Sequence, residues 1–198
     1  HFNWKKMIIV ALRNIICIAA LFCLLPVFAI LSILLVAEDG FPIFFIQKRL
    51  GIEKRVFRIF KIRTMKKNTP QLGTHDVGEE YKLKTGFLIR ATKLDEFPQL
   101  ANVILGDINL VGPRPGLLTQ TELLNDRSLK DIYSIKPGIT GLSQILGYDM
   151  SNPEELSLVD KVYLDNKSNS LDLIILLGTF FNFPRNYLAA KYKIHNNK

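Results

Sequence analysis

The chain has 198 residues, a net charge of +8 and only two cysteines. Its sequence pI is about 9.5 and its mean hydropathy +0.16. The length allows one domain with a real core plus an appendage, and two cysteines exclude a disulfide framework or a cysteine metal cage. A chain both basic and greasy points to anionic company at a membrane surface.

The first predicted element is apolar. Ile15 to Ala37 carries no charge over 23 residues, long enough for a bilayer core of ~30 Å. No small-residue cleavage site follows it, so a removed signal peptide is not expected. Cys17 and Cys23 fall inside the run and read as small buried hydrophobes, which suits a reducing, cytosolic setting. Pro26 lies near its middle, where proline removes a helix hydrogen bond and kinks or breaks the helix. Both flanks are basic: Lys5, Lys6 and Arg13 precede the run, and nine Lys or Arg between Lys48 and Lys67 follow it. Basic flanks prefer the cytoplasmic side. A helix that enters, breaks at Pro26 and leaves by the same face satisfies both flanks; a single through-span is the alternative.

Phe41 to Gln47 is apolar and aromatic, and after the turn Leu50-Gly51-Ile52-Glu53 the apolar Val56, Phe57, Ile59, Phe60 and Ile62 alternate loosely with basic residues. This reads as a β-hairpin with one basic face, carried by Arg55, Arg58, Lys61 and Arg63. Lys66 to Lys84 is polar and broken by Pro70, Gly73 and Gly78, a long loop. His75 and Asp76 within it read as surface residues.

Phe97 to Leu105 has helical spacing and stops at Gly106. The acid pair Asp95-Glu96 falls at its start. Neighbouring helical residues project ~100° apart, so the two carboxylates do not share one proton and should have separate jobs. Unpaired N–H groups at a helix start, together with Arg90 and Lys93, favour ionised carboxylates. Such carboxylates suit a nucleophile and a Mg²⁺ ligand, since Mg²⁺ takes one or two carboxylates plus substrate phosphates. Arg114 stands between Pro113 and Pro115. A guanidinium on so stiff a backbone can grip a phosphate through two hydrogen bonds.

Downstream, helices are expected over Leu117 to Asn125 and Glu154 to Asn166, with a Gly/Pro turn at Lys136 to Gly141. Leu171 to Phe183 is apolar but too short to span; it suits either the core or the membrane interface. Tyr187, Lys191, Tyr192 and Lys193 suit the headgroup zone. The expected fold is α+β: a membrane-inserted re-entrant helix broken at Pro26, then a mostly helical cytosolic domain with a small β-hairpin. Residues 1–40 form the membrane part. Residues 41–198 form the catalytic domain, with an interfacial C-terminal helix.

Several stretches, in order, resemble the bacterial sugar transferases, monotopic polyprenyl-phosphate phosphoglycosyl transferases. They are Phe45-Ile46-Gln47-Lys48-Arg49-Leu50-Gly51, Phe60-Lys61-Ile62-Arg63-Thr64-Met65, Leu94-Asp95-Glu96-Phe97-Pro98-Gln99-Leu100, Gly106 to Pro115, and Lys136-Pro137-Gly138-Ile139-Thr140-Gly141-Leu142. Asp160, Tyr163 and Leu171-Asp172-Leu173 also match, so the resemblance covers most of the chain. It implies transfer of a sugar-1-phosphate from a UDP-sugar donor to undecaprenyl or another polyprenyl phosphate, with release of UMP. It implies Asp95 as nucleophile in a phosphosugar-enzyme intermediate and Glu96 as Mg²⁺ ligand. Arg114 would bind phosphate or nucleotide, with Pro113 and Pro115 framing it, and Arg90, Lys61 and Arg63 would line the anionic site. It places the protein at the cytoplasmic face of a bacterial inner membrane, in contact with membrane lipid, with no nucleic acid and no particular oligomeric state implied. One departure is visible: many members carry Ser-Pro at the helix break, and this chain has Leu25-Pro26, without the hydroxyl that could bond freed backbone. A membrane-tethered basic binding protein for anionic lipid or nucleic acid is the competing class. It explains the charge but neither the acid pair nor the Arg114 clamp.

Overall fold

The computed structural model describes residues 4–70 and 78–192. His75 and Asp76 lie outside the described residues. The fold is α+β and mostly helical, as the sequence leads one to expect. The chain forms two compact units: His1–Gln47 with Arg58–Gly106, and Lys48–Phe57 with Asp107–Lys198.

The first unit is organised on one long helix, α1 (Trp4–Asp39), with Pro26 inside it. The helix runs on through Pro26, where proline removes one hydrogen bond and is a site of kinking rather than of termination. At 1.5 Å per residue, 36 residues reach ~54 Å. Most of the apolar surface is exposed, with Ile16, Phe22 and Ile33 among the most open. Leu31 and Leu35 instead pack with Ile62, Leu83 and Ile89 into a small core.

Both ends of α1 are tied to this unit. Near the start, Arg13 donates to the Val103 carbonyl at 3.2 Å. At the far end, the Glu38 carboxylate accepts from the backbone N–H of Lys84 at 2.6 Å and of Thr85 at 3.0 Å. Those N–H groups open α2 (Lys84–Ala91), so Glu38 caps a helix whose first donors lack partners of their own.

The hairpin is β1 (Phe44–Leu50) and β2 (Val56–Ile62), joined by a 3-10 turn at Ile52–Lys54. It has no single basic face. Side chains alternate along a strand, so Arg58 and Lys61, three positions apart, point to opposite sides. Arg63 is buried just beyond the strand. The loop after it carries a bridge between Met65 and Lys82 and a 3-10 turn at Glu79–Tyr81. Helix α3 (Gln99–Leu105) ends at Gly106 in the left-handed conformation.

The second unit holds a sheet the sequence reading missed. Strand β3 (Asn109–Val111) pairs in parallel with β4 (Gly138–Thr140), Asn109 opposite Gly138 and Val111 opposite Thr140. The approach is close: a Cβ on Gly138 would lie 2.1 Å from the Gly112 nitrogen, so no side chain fits there. Around the sheet lie α4 (Thr121–Leu129), α5 (Leu142–Leu146), α6 (Pro153–Asn166), α7 (Asn169–Phe180) and α8 (Asn182–Tyr192). Their core contains Leu142, Val159, Tyr163, Ile175 and Leu188; each such side chain fully buried contributes about 1.5–3 kcal/mol. Helix α6 starts where its sequence says: Asn152 accepts from Glu155 N–H and Pro153 takes the first turn. The apolar run of α7 serves two surfaces. Leu171 and Ile175 face the core, while Leu173, Leu177 and Phe180 are exposed, as are Phe181 and Phe183 beyond it.

Candidate active site

The acid pair lies in a 3-10 turn, Leu94–Glu96, rather than in α3 itself. Lys93 enters this turn in the left-handed conformation, at φ 57°. The Phe97 N–H then bonds the Leu94 carbonyl at 3.3 Å, and the chain passes through Pro98 into α3. The reason is local. Phe97 and Pro98 both stay in the right-handed helical conformation, but Pro98 has no N–H to carry the ladder on, so the turn closes before α3 opens. A 3-10 turn has three residues per turn, which keeps Asp95 and Glu96 on different sides. Both residues are half-buried.

Glu96 Oε1 lies 2.9 Å from Lys61 Nζ, and these side chains are 20% and 16% exposed respectively. A pair this sheltered is screened less than a surface pair. Lys61 reaches the turn from β2. The two elements are held in register by α3: Asn102, fully buried, donates to the Arg58 carbonyl at 2.7 Å and accepts from the Phe60 N–H at 3.1 Å. One amide thereby pairs with the edge of β2 as a neighbouring strand would. Arg90 comes from the end of α2 and donates through Nε to Thr64 Oγ1 at 2.8 Å.

Arg63 behaves differently from the other cations. It is 5% exposed. Nε donates to the Pro42 carbonyl at 2.6 Å and one terminal nitrogen to the Gly40 carbonyl at 2.5 Å, while the other pairs with Asp39. Its guanidinium is a clasp on the end of α1 rather than a lining group open to a ligand. The sequence shows a basic residue in a basic strand; its acceptors lie more than twenty residues upstream.

Arg114 belongs to the second unit. Pro113 and Pro115 are buried and Arg114 between them is half-buried. Four successive carbonyls of this loop are bonded. Pro113 O accepts from Gly138 N–H at 3.0 Å, Arg114 O from Arg127 at 2.7 Å, Pro115 O from Arg49 at 3.1 Å and Gly116 O from Leu50 N–H at 3.2 Å. Arg127 itself is 2% exposed and donates to Asp160 Oδ2 through Nε at 3.0 Å and a terminal nitrogen at 2.5 Å. Ser143 donates to Asp160 Oδ1 at 3.0 Å. Burial pushes the Asp160 carboxyl up, and Arg127 pulls against it. Tyr163 donates to Asp172 at 2.7 Å; burial and that carboxylate push its phenol up, so it remains a donor.

The donor set suits Mg²⁺ in one way only. No group of three His, Cys, Asp or Glu side chains able to hold a metal exists among the described residues. A hard cation that completes its shell with water and substrate phosphate needs no such cage, and a single carboxylate such as that of Glu96 fits that mode.

Over residues 4–186 the sequence matches the family described as bacterial sugar transferase. It belongs to that family.

Relatives of this sugar transferase share much of its length. It is 39% identical over 160 residues to the uncharacterized sugar transferase EpsL of Bacillus subtilis (strain 168), covering 80% of this chain and 79% of that protein. It is 37% identical over 134 residues to a UDP-glucose:undecaprenyl-phosphate glucose-1-phosphate transferase of Caulobacter vibrioides, covering 66% of this chain and 49% of that protein. It is 32% identical over 161 residues to a UDP-N-acetylgalactosamine-undecaprenyl-phosphate N-acetylgalactosaminephosphotransferase of Aeromonas hydrophila, covering 78% of this chain and 38% of that protein. The sugar transferase thus spans most of the first relative and less than half of the other two. The acid pair, Lys61, Arg90 and Arg114 stand out in the sequence as candidates. Asn102, Arg127 and Ser143 do not, and Asp160 has no role legible there, because each acts on a partner far along the chain.

Proposed function

We propose that this sugar transferase moves a sugar-1-phosphate from a UDP-sugar to undecaprenyl phosphate, releasing UMP, as a membrane step of exopolysaccharide or capsule assembly. The observation that carries this reading is the half-buried Asp95-Glu96 turn with Lys61 2.9 Å from Glu96, in a chain of this family. An Asp95 carboxylate oxygen attacks the sugar-linked phosphorus of the donor. The new P–O bond forms as the diphosphate P–O bond breaks, and UMP leaves with the electron pair. An oxygen of the polyprenyl phosphate then attacks the same phosphorus, the Asp95–phosphorus bond breaks, and Asp95 returns as a carboxylate. The sequence is ping-pong through a phosphosugar-aspartyl intermediate.

The remaining residues handle charge. An anion attacking an anion needs fixed positive charge at the reacting phosphate. Within the first unit, Lys61 holds Glu96 beside Asp95 and Arg90 adds a cation from α2. In the second unit, Arg114 is the proposed grip on phosphate or nucleotide, on a loop whose carbonyls are fixed. Mg²⁺, when bound by Glu96, would neutralise diphosphate charge. Arg63 serves the fold by clasping α1.

The same proposal puts the enzyme on the cytoplasmic face of the inner membrane, with α1 entering and leaving by one side. Support comes from Arg13 and Glu38, which tie both ends of α1 to the first unit; a straight crossing would separate one end from it. The exposed Leu173, Leu177, Phe180 and Phe183 support an interfacial C-terminal region, as does Lys191 over the rings of Tyr187 and Tyr192. The test is a UMP-release screen of UDP-glucose, UDP-galactose and UDP-N-acetylgalactosamine with undecaprenyl phosphate. Release from at least one donor is expected; release from none over a full UDP-sugar panel contradicts the proposal.

A further inference from the structure

We infer that Arg127 is a positioning residue for Arg114: held from behind by Asp160 and Ser143, it fixes the Arg114 carbonyl and so aims the Arg114 guanidinium at the nucleotide phosphates. The inference rests on the reading of Arg114 as the phosphate clamp. Arg127 is nearly sealed from solvent, and an arginine is rarely buried without paired acceptors. Its fork divides between two of them. Nε and one terminal nitrogen go to Asp160 Oδ2, at 3.0 and 2.5 Å, and the other terminal nitrogen goes to Arg114 O at 2.7 Å. Ser143, also fully buried, occupies the second Asp160 oxygen at 3.0 Å. The line Ser143–Asp160–Arg127 therefore ends on the backbone of the proposed clamp.

The chemistry of the loop explains why a side chain is used. Pro113 and Pro115 supply no N–H, so at those two positions the loop can be secured only through carbonyls. Three of the four carbonyls take donors from β4 and β1, and Arg114 O takes Arg127. Lysine cannot replace this fork, since one ammonium on a flexible stem does not reproduce a planar set of donors.

The test is a cycle of four full-length proteins in nanodiscs: parent, Arg127→Lys, Arg114→Ala and the double variant. The probe is UDP with Mg²⁺, its Kd measured by calorimetry, with thermal unfolding recorded for each. Positioning through Arg114 predicts roughly tenfold weaker UDP for Arg127→Lys alone, about 1.4 kcal/mol, and no further weakening once Arg114 is alanine. Equal weakening in both backgrounds, or none in either, overturns the inference and leaves Arg127 a structural residue. If Arg114→Ala binds UDP as the parent does, the clamp reading fails first, with a different signature. Should Arg127→Lys lose its cooperative melt, Ser143→Ala carries the same cycle, because it leaves the Arg127–Asp160 pair in place; its effect must likewise vanish without Arg114.

Discussion

Replacing Gly86 with alanine should destabilise the first unit, against the ordinary expectation for a helix. Within a helix, Gly→Ala gains about 1 kcal/mol. Here an added Cβ would lie 2.2 Å from the Thr64 carbonyl oxygen and 2.9 Å from its carbon. A comfortable C···O contact is ~3.3–3.6 Å, so α2 and the end of β2 must part by about an ångström. Both sides are backbone, and Thr64 is already committed. Its carbonyl accepts from Leu83 N–H at 3.2 Å and its hydroxyl from Arg90 at 2.8 Å. Overpacking costs about 1–3 kcal/mol, and each hydrogen bond lost adds about 1 kcal/mol. The net is a loss of roughly 2–4 kcal/mol, or roughly 4–16 °C in Tm for a chain of this size. Circular dichroism melts of detergent-solubilised protein measure it, with UMP release at low temperature reporting on Arg90. Gly147→Ala is the control: its φ is +83° but nothing lies within 4 Å, so it pays only ~1–2 kcal/mol of left-handed strain. A Gly86→Ala protein as stable as the parent would refute the packing argument.

Lys61→Met should cut turnover tenfold or more, as the Glu96 carboxylate loses its 2.9 Å partner, and should lower Tm because that sheltered carboxylate is left unpaired; unchanged turnover in a steady-state UMP assay argues against a role for this pair. Leu35→Ala should cost about 2–5 kcal/mol, because Leu35 is wholly buried in the small core, whereas Ile33→Ala, at 69% exposed, should leave the melt unchanged. Asn102→Ala should lower stability by about 2–4 kcal/mol, since it strands the Arg58 carbonyl and the Phe60 N–H, and it should slow UMP release by freeing β2 from α3. Single cysteines at positions 5 and 54 should react with an impermeant maleimide from the same side of sealed vesicles; labelling from opposite sides rules out re-entry of α1.

The legible parts of the fold were those with local causes. The hairpin announced itself by the alternation after the turn at Gly51, and α6 by a helical stretch expected from Glu154 to Asn166 and found at Pro153–Asn166. The boundaries of α4 were harder: the structure puts it at Thr121–Leu129, four residues beyond the expected Leu117 to Asn125, with no side-chain cap at its start to mark it. The parallel pair β3 and β4 left no trace, because each strand has three residues and its partner lies beyond α4. Helix α2 was hidden by its cap, which is Glu38 from the end of α1 and not a neighbour in sequence.

The site divides the same way. Asp95, Glu96 and Arg114 could be read from type and spacing, since the acids precede a proline and the arginine stands between two. Arg63 could not be told from Lys61 by sequence, although one clasps backbone carbonyls and the other pairs with Glu96. Arg127 offered no signal, because Asp160 lies 33 positions away and only the fold joins them.

The most direct measurement is the intact mass of the enzyme after incubation with a UDP-sugar and Mg²⁺ in the absence of undecaprenyl phosphate. The account predicts a gain of one sugar-phosphate, mapped to Asp95, lost when acceptor is added and absent in Asp95→Asn. Asp95→Asn protein that releases UMP at the parent's rate would contradict it.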